Sequence, residues 1–202
     1  MILDSRTALL PIDVQQGFDD PSWGQRNNPA MEAHGQALLA AWRERDWPLI
    51  HIHHDSLQPT SPLHPSHPGN GFRPGFEPRT GEPSIGKSVN SGFIGTDLEL
   101  RLRRLDVNAV VLFGITTDRC VSTTARMASN LGFRTIVVGD ATACFDLRAA
   151  DGRVIPADEL ARVHLATLHD EFGEVVATGD VLKALSPAPV RAASFTRRSE
   201  AK

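Results

Sequence analysis

The stretch AVVLFGITTDRCVSTTARMASNL, residues 109–131, carries the argument for the fold. Its opening run, Ala109 to Gly114, is continuously apolar, the pattern of a strand buried on both faces. From Cys120 to Leu131 the pattern becomes helical. A buried strand that feeds a helix is half of a βαβ unit, so the stretch predicts a parallel sheet. It also sets a cysteine just beyond a strand's carboxyl end, at a helix start.

The same rhythm extends in both directions along the chain. Thr7 to Ile12 (TALLPI), Pro48 to His53 (PLIHIH), Thr135 to Gly139 (TIVVG) and Val175 to Thr178 (VVAT) read as further strands. Ala30 to Asp46, Thr96 to Leu105 and Ala157 to Phe172 read as the helices between them. Thr96 and Glu99 have capping-box spacing ahead of Leu98, Leu102 and Leu105 on one face. The reading is α/β, with helices packed on a mostly parallel sheet. Ser56 to Pro83, rich in Pro, Gly, Ser and His, predicts a long ordered loop over the sheet's carboxyl edge, where it would wall a pocket. We expect one domain over residues 1–185 and a mobile tail over 186–202, because SPAPVRAASFTRRSEAK lacks apolar periodicity.

Composition excludes several classes of function. At 202 residues, 41% hydrophobic and 22% charged, the chain can bury one sizeable core. A net charge of -3 with scattered arginines offers no basic surface for nucleic acid. Two cysteines, Cys120 and Cys144, build no disulfide framework and show no paired CxxC spacing, which fits a reducing cytoplasm. MILDSRTALLPID has no signal-peptide pattern and no apolar run is long enough to cross a bilayer, so neither export nor membrane association is expected.

Ligands of open α/β sheets collect beyond the carboxyl ends of the strands. Three residues follow strand-like runs there: Asp13 after TALLPI, Lys87 after SIG, and Cys120. A cysteine at a helix N-terminus near a lysine ammonium should have a lowered pKa, and a buried aspartate beside it would take the thiol proton and return it to a leaving amine. Amides of the turn from Thr116 to Cys120 would face the oxygen of a tetrahedral intermediate. Taken singly, each residue also has a plain reading: Cys120 as an inert core thiol, Asp13 as a turn residue, Lys87 as a solvated lysine. Cys144, with no cation near it in sequence, reads as structural.

Three separated motifs in order decide between these readings. ALLPIDVQQGF around Asp13, GEPSIGKSVNSGFIGTDLELRLR around Lys87 and VVLFGITTDRCVSTTARMASNLGF around Cys120 resemble the isochorismatase-like cysteine hydrolases, a superfamily that includes nicotinamidases and N-carbamoylsarcosine amidohydrolases. VVGDATACFD and ADELARVHLATLHDEF add support, and the likeness runs from about Thr7 to Asp180. The resemblance implies a three-layer sandwich with a six-stranded parallel sheet, and an Asp–Lys–Cys triad at Asp13, Lys87 and Cys120. It implies an oxyanion hole at Thr116 and Cys120 and a non-proline cis peptide at Ile115–Thr116. Gln15 and Phe18 fall near the pocket by the same matching; Trp23 and Phe93 are expected as pocket walls from loop position.

Two departures stand out. Pro11 replaces an aliphatic residue of the first strand, and we expect it at the strand's last position, beyond the ladder. The Asp-x-His metal pair of nicotinamidases is replaced by His54 and Ser56 in HIHHDS. His51, His53, His54, Asp55, His64 and His67 crowd one region, yet lack metal-site spacing; His51 and His53 share a strand face while His54 turns away. No metal and no cofactor are therefore expected. The leading reading is a cysteine-dependent hydrolase of a small-molecule amide, ureido or related C–N bond, in a homo-oligomer. The alternatives are a catalytically silent binding or assembly subunit on the same fold and a vinyl-ether hydrolase; a nicotinamide-dependent oxidoreductase lacks its GxGxxG.

Overall fold

The computed structural model describes residues 2–186. Its elements are β1 (Thr7–Ile12), α1 (Met31–Arg45), β2 (His51–His54), β3 (Ser84–Lys87), α2 (Leu98–Arg104), β4 (Ala109–Ile115), α3 (Ser122–Asn130), β5 (Arg134–Ala143), β6 (Leu147–Arg148), β7 (Val154–Ile155), α4 (Ala157–Thr167), β8 (Glu174–Val176) and α5 (Thr178–Ala184). Six strands form one sheet in the order β3-β2-β1-β4-β5-β8, every neighbouring pair parallel. β6 and β7 make a separate antiparallel hairpin. The expected six-stranded α/β sandwich is the architecture observed.

Strand alternation divides the core between two faces. Leu9, Val111, Phe113, Ile136 and Val138 pack with α1 residues Met31, Leu38, Leu39 and Trp42 and with Val181 of α5. Ala8, Leu10, Ile12, Val110, Leu112 and Val137 pack instead with Leu98 and Leu102 of α2 and with Ala125 and Ala128 of α3. Both faces of β1 and β4 are thus covered, which is why their sequences read as unbroken apolar runs. Each such large side chain, once fully buried, contributes roughly 1.5–3 kcal/mol. In α1 the buried stripe is Met31, Gly35, Leu38, Leu39 and Trp42. Gly35 is required there because a side chain would strike the Phe113 and Phe76 rings.

Two local expectations are corrected. Pro11 is not beyond the ladder: it lies inside β1, opposite Phe113 of β4. Its missing N–H falls on the β2 side, where Leu9 donates to Pro48 and Asp13 to Ile52, so the loss is a gap between two intact bonds. The capping box before α2 does not form. The Thr96 hydroxyl donates to the Gly92 carbonyl at 2.6 Å, and Glu99 pairs with Arg103 one turn on. α5 and the hairpin were not expected, and the tail expected over 186–202 lies outside the described residues after Ser186. Among the described residues no helix is long and apolar enough to cross a membrane.

Candidate active site

The chain builds β1, β2 and β3 in one direction across the sheet and β4, β5 and β8 in the other, so the order switches between β1 and β4. The crevice beyond the carboxyl ends of those two strands is where such sheets bind ligands. Asp13 follows β1 directly, with a left-handed backbone (φ 52°) and its N–H donated to the Ile52 carbonyl. β4 ends at Ile115, and the Ile115–Thr116 peptide is cis, as the resemblance implied. Gly114, at φ 132°, lies against β1 so closely that a side chain would run into the Ile12 carbonyl. That close approach brings the two strand ends together.

Cys120 does not open a regular helix. It lies in a wide turn, Thr117–Val121, in which the Val121 N–H reaches the Thr116 carbonyl, and α3 begins two residues later. The Thr117 hydroxyl anchors this turn to Thr142 of β5 at 2.9 Å. Lys87 closes β3, two strands away from β1, and its long side chain spans the distance: Nζ meets Asp13 Oδ2 at 2.6 Å, with both side chains wholly buried. The solvated-lysine reading therefore fails. Asp13 Oδ1 has no hydrogen-bond partner among the described residues, and the Cys120 Sγ is within 4.8 Å of an Asp13 oxygen. Asp13, Lys87 and Cys120, distant in sequence, meet at one point.

The electrostatics differ from the expectation drawn from helix position. Burial, and then the Asp13 charge, push the Cys120 thiol well above its ordinary pKa, while Lys87 opposes them. At rest the site is a thiol beside a carboxylate–ammonium pair. Cys144 is buried too, with its thiol pushed up to about 12 by burial and then by Asp118, and its Sγ donates to the Ala157 carbonyl. It is a core residue.

The other expected site residues divide. The Gln15 side chain is fully committed: its oxygen accepts the His54 N–H at 2.8 Å and its nitrogen donates to the His54 and Asn70 carbonyls. It fixes the end of β2 and the following loop rather than presenting a free amide. Phe18 and Trp23 pack at 5.0 Å between ring centroids, and Phe145, just past β5, completes an aromatic trio at the same edge of the sheet. Phe145 was missed because it follows a motif whose signal is the strand before it. The Phe93 ring stacks on Phe133, which precedes β5 at the opposite edge, and packs against the core face that carries α2 and α3.

Loop 55–83 does cover the carboxyl edge. Asn70 ties it down through His54, Asp55 and Leu63, and Leu63 and Phe76 are buried. A cleft of about 380 Å³ between this loop and the end of β3 is lined by Asp55, Leu57, His64, Lys87 and Ile94. A larger concavity, about 780 Å³, lies at the amino edge among Arg43, Trp47, Glu82 and Arg101. None of Asp13, Lys87 and Cys120 lines it.

The histidines do not assemble as a group. His51 bonds to Glu82, His53 to Ser84, His64 to Ser66, and His67 accepts from Gly69. Among the described residues one set of metal-type donors converges: Asp13, His54 and Cys120, within 4.8 Å of one another. That set already contains a cation, because Lys87 Nζ is 2.6 Å from Asp13 and 3.3 Å from His54 Nδ1. Sequence reasoning gave the histidines a surface or supporting role and did not set His54 at the site; in the structure the parallel register sets His54 opposite Lys87.

Comparison with known proteins identifies the family. Residues 7–179 match the isochorismatase domain. An isochorismatase family protein of Bacillus subtilis, YrdC, is 42% identical over 180 residues, covering 89% of this chain and 96% of the relative. A streptothricin hydrolase of Streptomyces noursei is 30% identical over 90% of this chain and 67% of its own length. The solved structure of an isochorismatase family protein from Chromobacterium violaceum superposes with a TM-score of 0.86 at 46% identity, covering 89% and 93% of the two chains. With the family domain spanning nearly all of the described residues, the chain belongs to the isochorismatase family of hydrolases.

Proposed function

We propose that the protein is a cysteine-dependent hydrolase of a small-molecule amide, ureido or related C–N bond. The observation that carries this is the buried Asp13–Lys87 pair at 2.6 Å, with one aspartate oxygen unpartnered and Cys120 Sγ within 4.8 Å of the carboxylate. The relationship to a streptothricin hydrolase supports a hydrolytic reaction.

In this reading Asp13 takes the Cys120 proton as Sγ attacks the substrate carbonyl carbon. The negative charge moves to the carbonyl oxygen, which the Thr116 and Cys120 amides receive. Asp13 then delivers the proton to the leaving nitrogen, the C–N bond breaks, and a Cys120 thioester remains. A water molecule, deprotonated by Asp13, attacks the thioester; the acid product departs and the thiol regains its proton. Lys87 keeps the buried carboxylate compensated throughout and stabilises the transient thiolate. Phe18 and Trp23 offer apolar surface to the substrate.

The test is turnover of a panel of small amides, ureas and carbamoyl compounds by wild type, Cys120→Ala and Asp13→Asn. Cys120→Ala should be inactive while folded, and Asp13→Asn should lose about 10²–10⁴-fold, the range of a positioned acid–base group. Turnover by Cys120→Ala at the wild-type rate would end the proposal.

A further inference from the structure

We propose that His54 is a fourth member of this site, a positioning residue that accepts from the Lys87 ammonium through Nδ1 and so holds it on Asp13 Oδ2, leaving Oδ1 free for the Cys120 proton. The inference rests on the cysteine-hydrolase reading above and adds a residue to it.

The argument starts from donors and acceptors. A lysine ammonium has three donors, and a buried donor without an acceptor costs free energy. Asp13 Oδ2 takes one at 2.6 Å, and His54 Nδ1 faces Nζ at 3.3 Å. Were the second donor to swing to Asp13 Oδ1, both carboxylate oxygens would be occupied and neither would be open to the thiol. Oδ1 is instead unpartnered. An acceptor on the other side of Nζ explains that asymmetry.

The acceptor should also be neutral. A second carboxylate would make a buried site with two negative charges and one positive, whereas an imidazole leaves the Asp13–Lys87 pair balanced. The groups facing the ring are Lys87 from β3, Asp13 after β1, the neighbouring Asp55 and the Cys120 thiol. Burial first, and then the Lys87 charge, hold His54 below the usual imidazole range, against the pull of the two aspartates. Its backbone is fixed on both sides: the N–H by Gln15, the carbonyl by Gln15 and Asn70. The committed Gln15 amide thereby acquires a purpose, since it sets the ring that sets the lysine.

A substrate-free assay isolates this claim. The rate at which iodoacetamide alkylates Cys120, read by peptide mass spectrometry, reports its thiolate fraction and does not depend on which compound the enzyme hydrolyses. His54→Leu should slow alkylation about tenfold, the loss of one hydrogen bond to a charged group. His54→Asn, whose side-chain oxygen can occupy the Nδ1 position, should restore most of the rate. In a Lys87→Met background His54→Leu should change the rate by less than about twofold, because there is no ammonium left to hold. Thermal melts of each variant identify any that fail to fold.

Three results would overturn the inference: alkylation of His54→Leu at the wild-type rate, His54→Asn as slow as His54→Leu, or an equal His54→Leu effect with and without Lys87. Failure of the hydrolase reading looks different. Cys120→Ala would then retain turnover, whatever the alkylation cycle gives.

Discussion

Lys87→Met removes the ammonium while keeping most of the stem, and leaves the Asp13 carboxylate in a site where both side chains have no solvent exposure. Breaking a buried pair from one side costs about 3–5 kcal/mol, because the remaining charge is desolvated without compensation. For a domain of this size each kcal/mol moves the melting temperature by about 2–4 °C, so the variant should melt roughly 6–20 °C below wild type. Adding Asp13→Asn removes the orphaned charge. The double variant should therefore lose less than the sum of the single losses, with a coupling of at least about 1 kcal/mol. Calorimetry and urea unfolding of the four proteins measure both quantities. A Lys87→Met protein that melts with wild type, or strictly additive losses, would refute the claim that the pair is buried and mutually compensating.

The remaining predictions concern titration. Glu82 is partly desolvated, which alone would raise its pKa, but Arg43, the Arg79 amide and His51 outweigh this and hold it at about 2. A depressed carboxylate pKa stabilises above the unfolded value of about 4.5 and loses that contribution as pH falls through the folded value. Glu82→Gln should therefore cost on the order of 1–2 kcal/mol near neutral pH once solvent screening is allowed for, with the gap to wild type closing in acid; a gap that stays constant down to about pH 2 contradicts the assignment. For Cys120, whose thiol is pushed up, alkylation should climb about tenfold per pH unit past the ordinary thiol value of about 8.5 without levelling. A plateau below neutrality would mean that the thiolate is already formed in the free enzyme.

Legibility in the sequence followed the physics of each element. β1, β4 and β5 are covered on both faces, and their apolar runs were readable to within a few residues. β3 was visible only as the short SIG before Lys87, because its burial alternates at the sheet's edge. α5 has seven residues, too few for a helical period to stand out, and is held by packing on α1 and β5. The capping box before α2 failed because the helix starts one residue later than the spacing implied, with Asp97 at its boundary and Glu99 paired with Arg103.

The site divides in the same way. Asp13, Lys87 and Cys120 were legible because each follows a strand-like run and the topology gathers strand ends. The thiol's raised pKa was not, because it depends on burial and on the Asp13 charge, and the helix-end argument accounted for neither. The stacking of Phe93 on Phe133 was not legible, because loop position fixes no side-chain direction. The alternation that turns His54 from His51 and His53 counted only against a metal site, yet it is what aims His54 at Lys87.

The central claim is covalent catalysis at Cys120, and its most direct test is the intact mass of the protein after brief exposure to small amides, ureas and carbamoyl compounds. The account predicts an acyl adduct on wild type that turns over with release of the amine, and none on Cys120→Ala. Turnover of a substrate by Cys120→Ala, or an adduct that persists when Cys120 is absent, would contradict it.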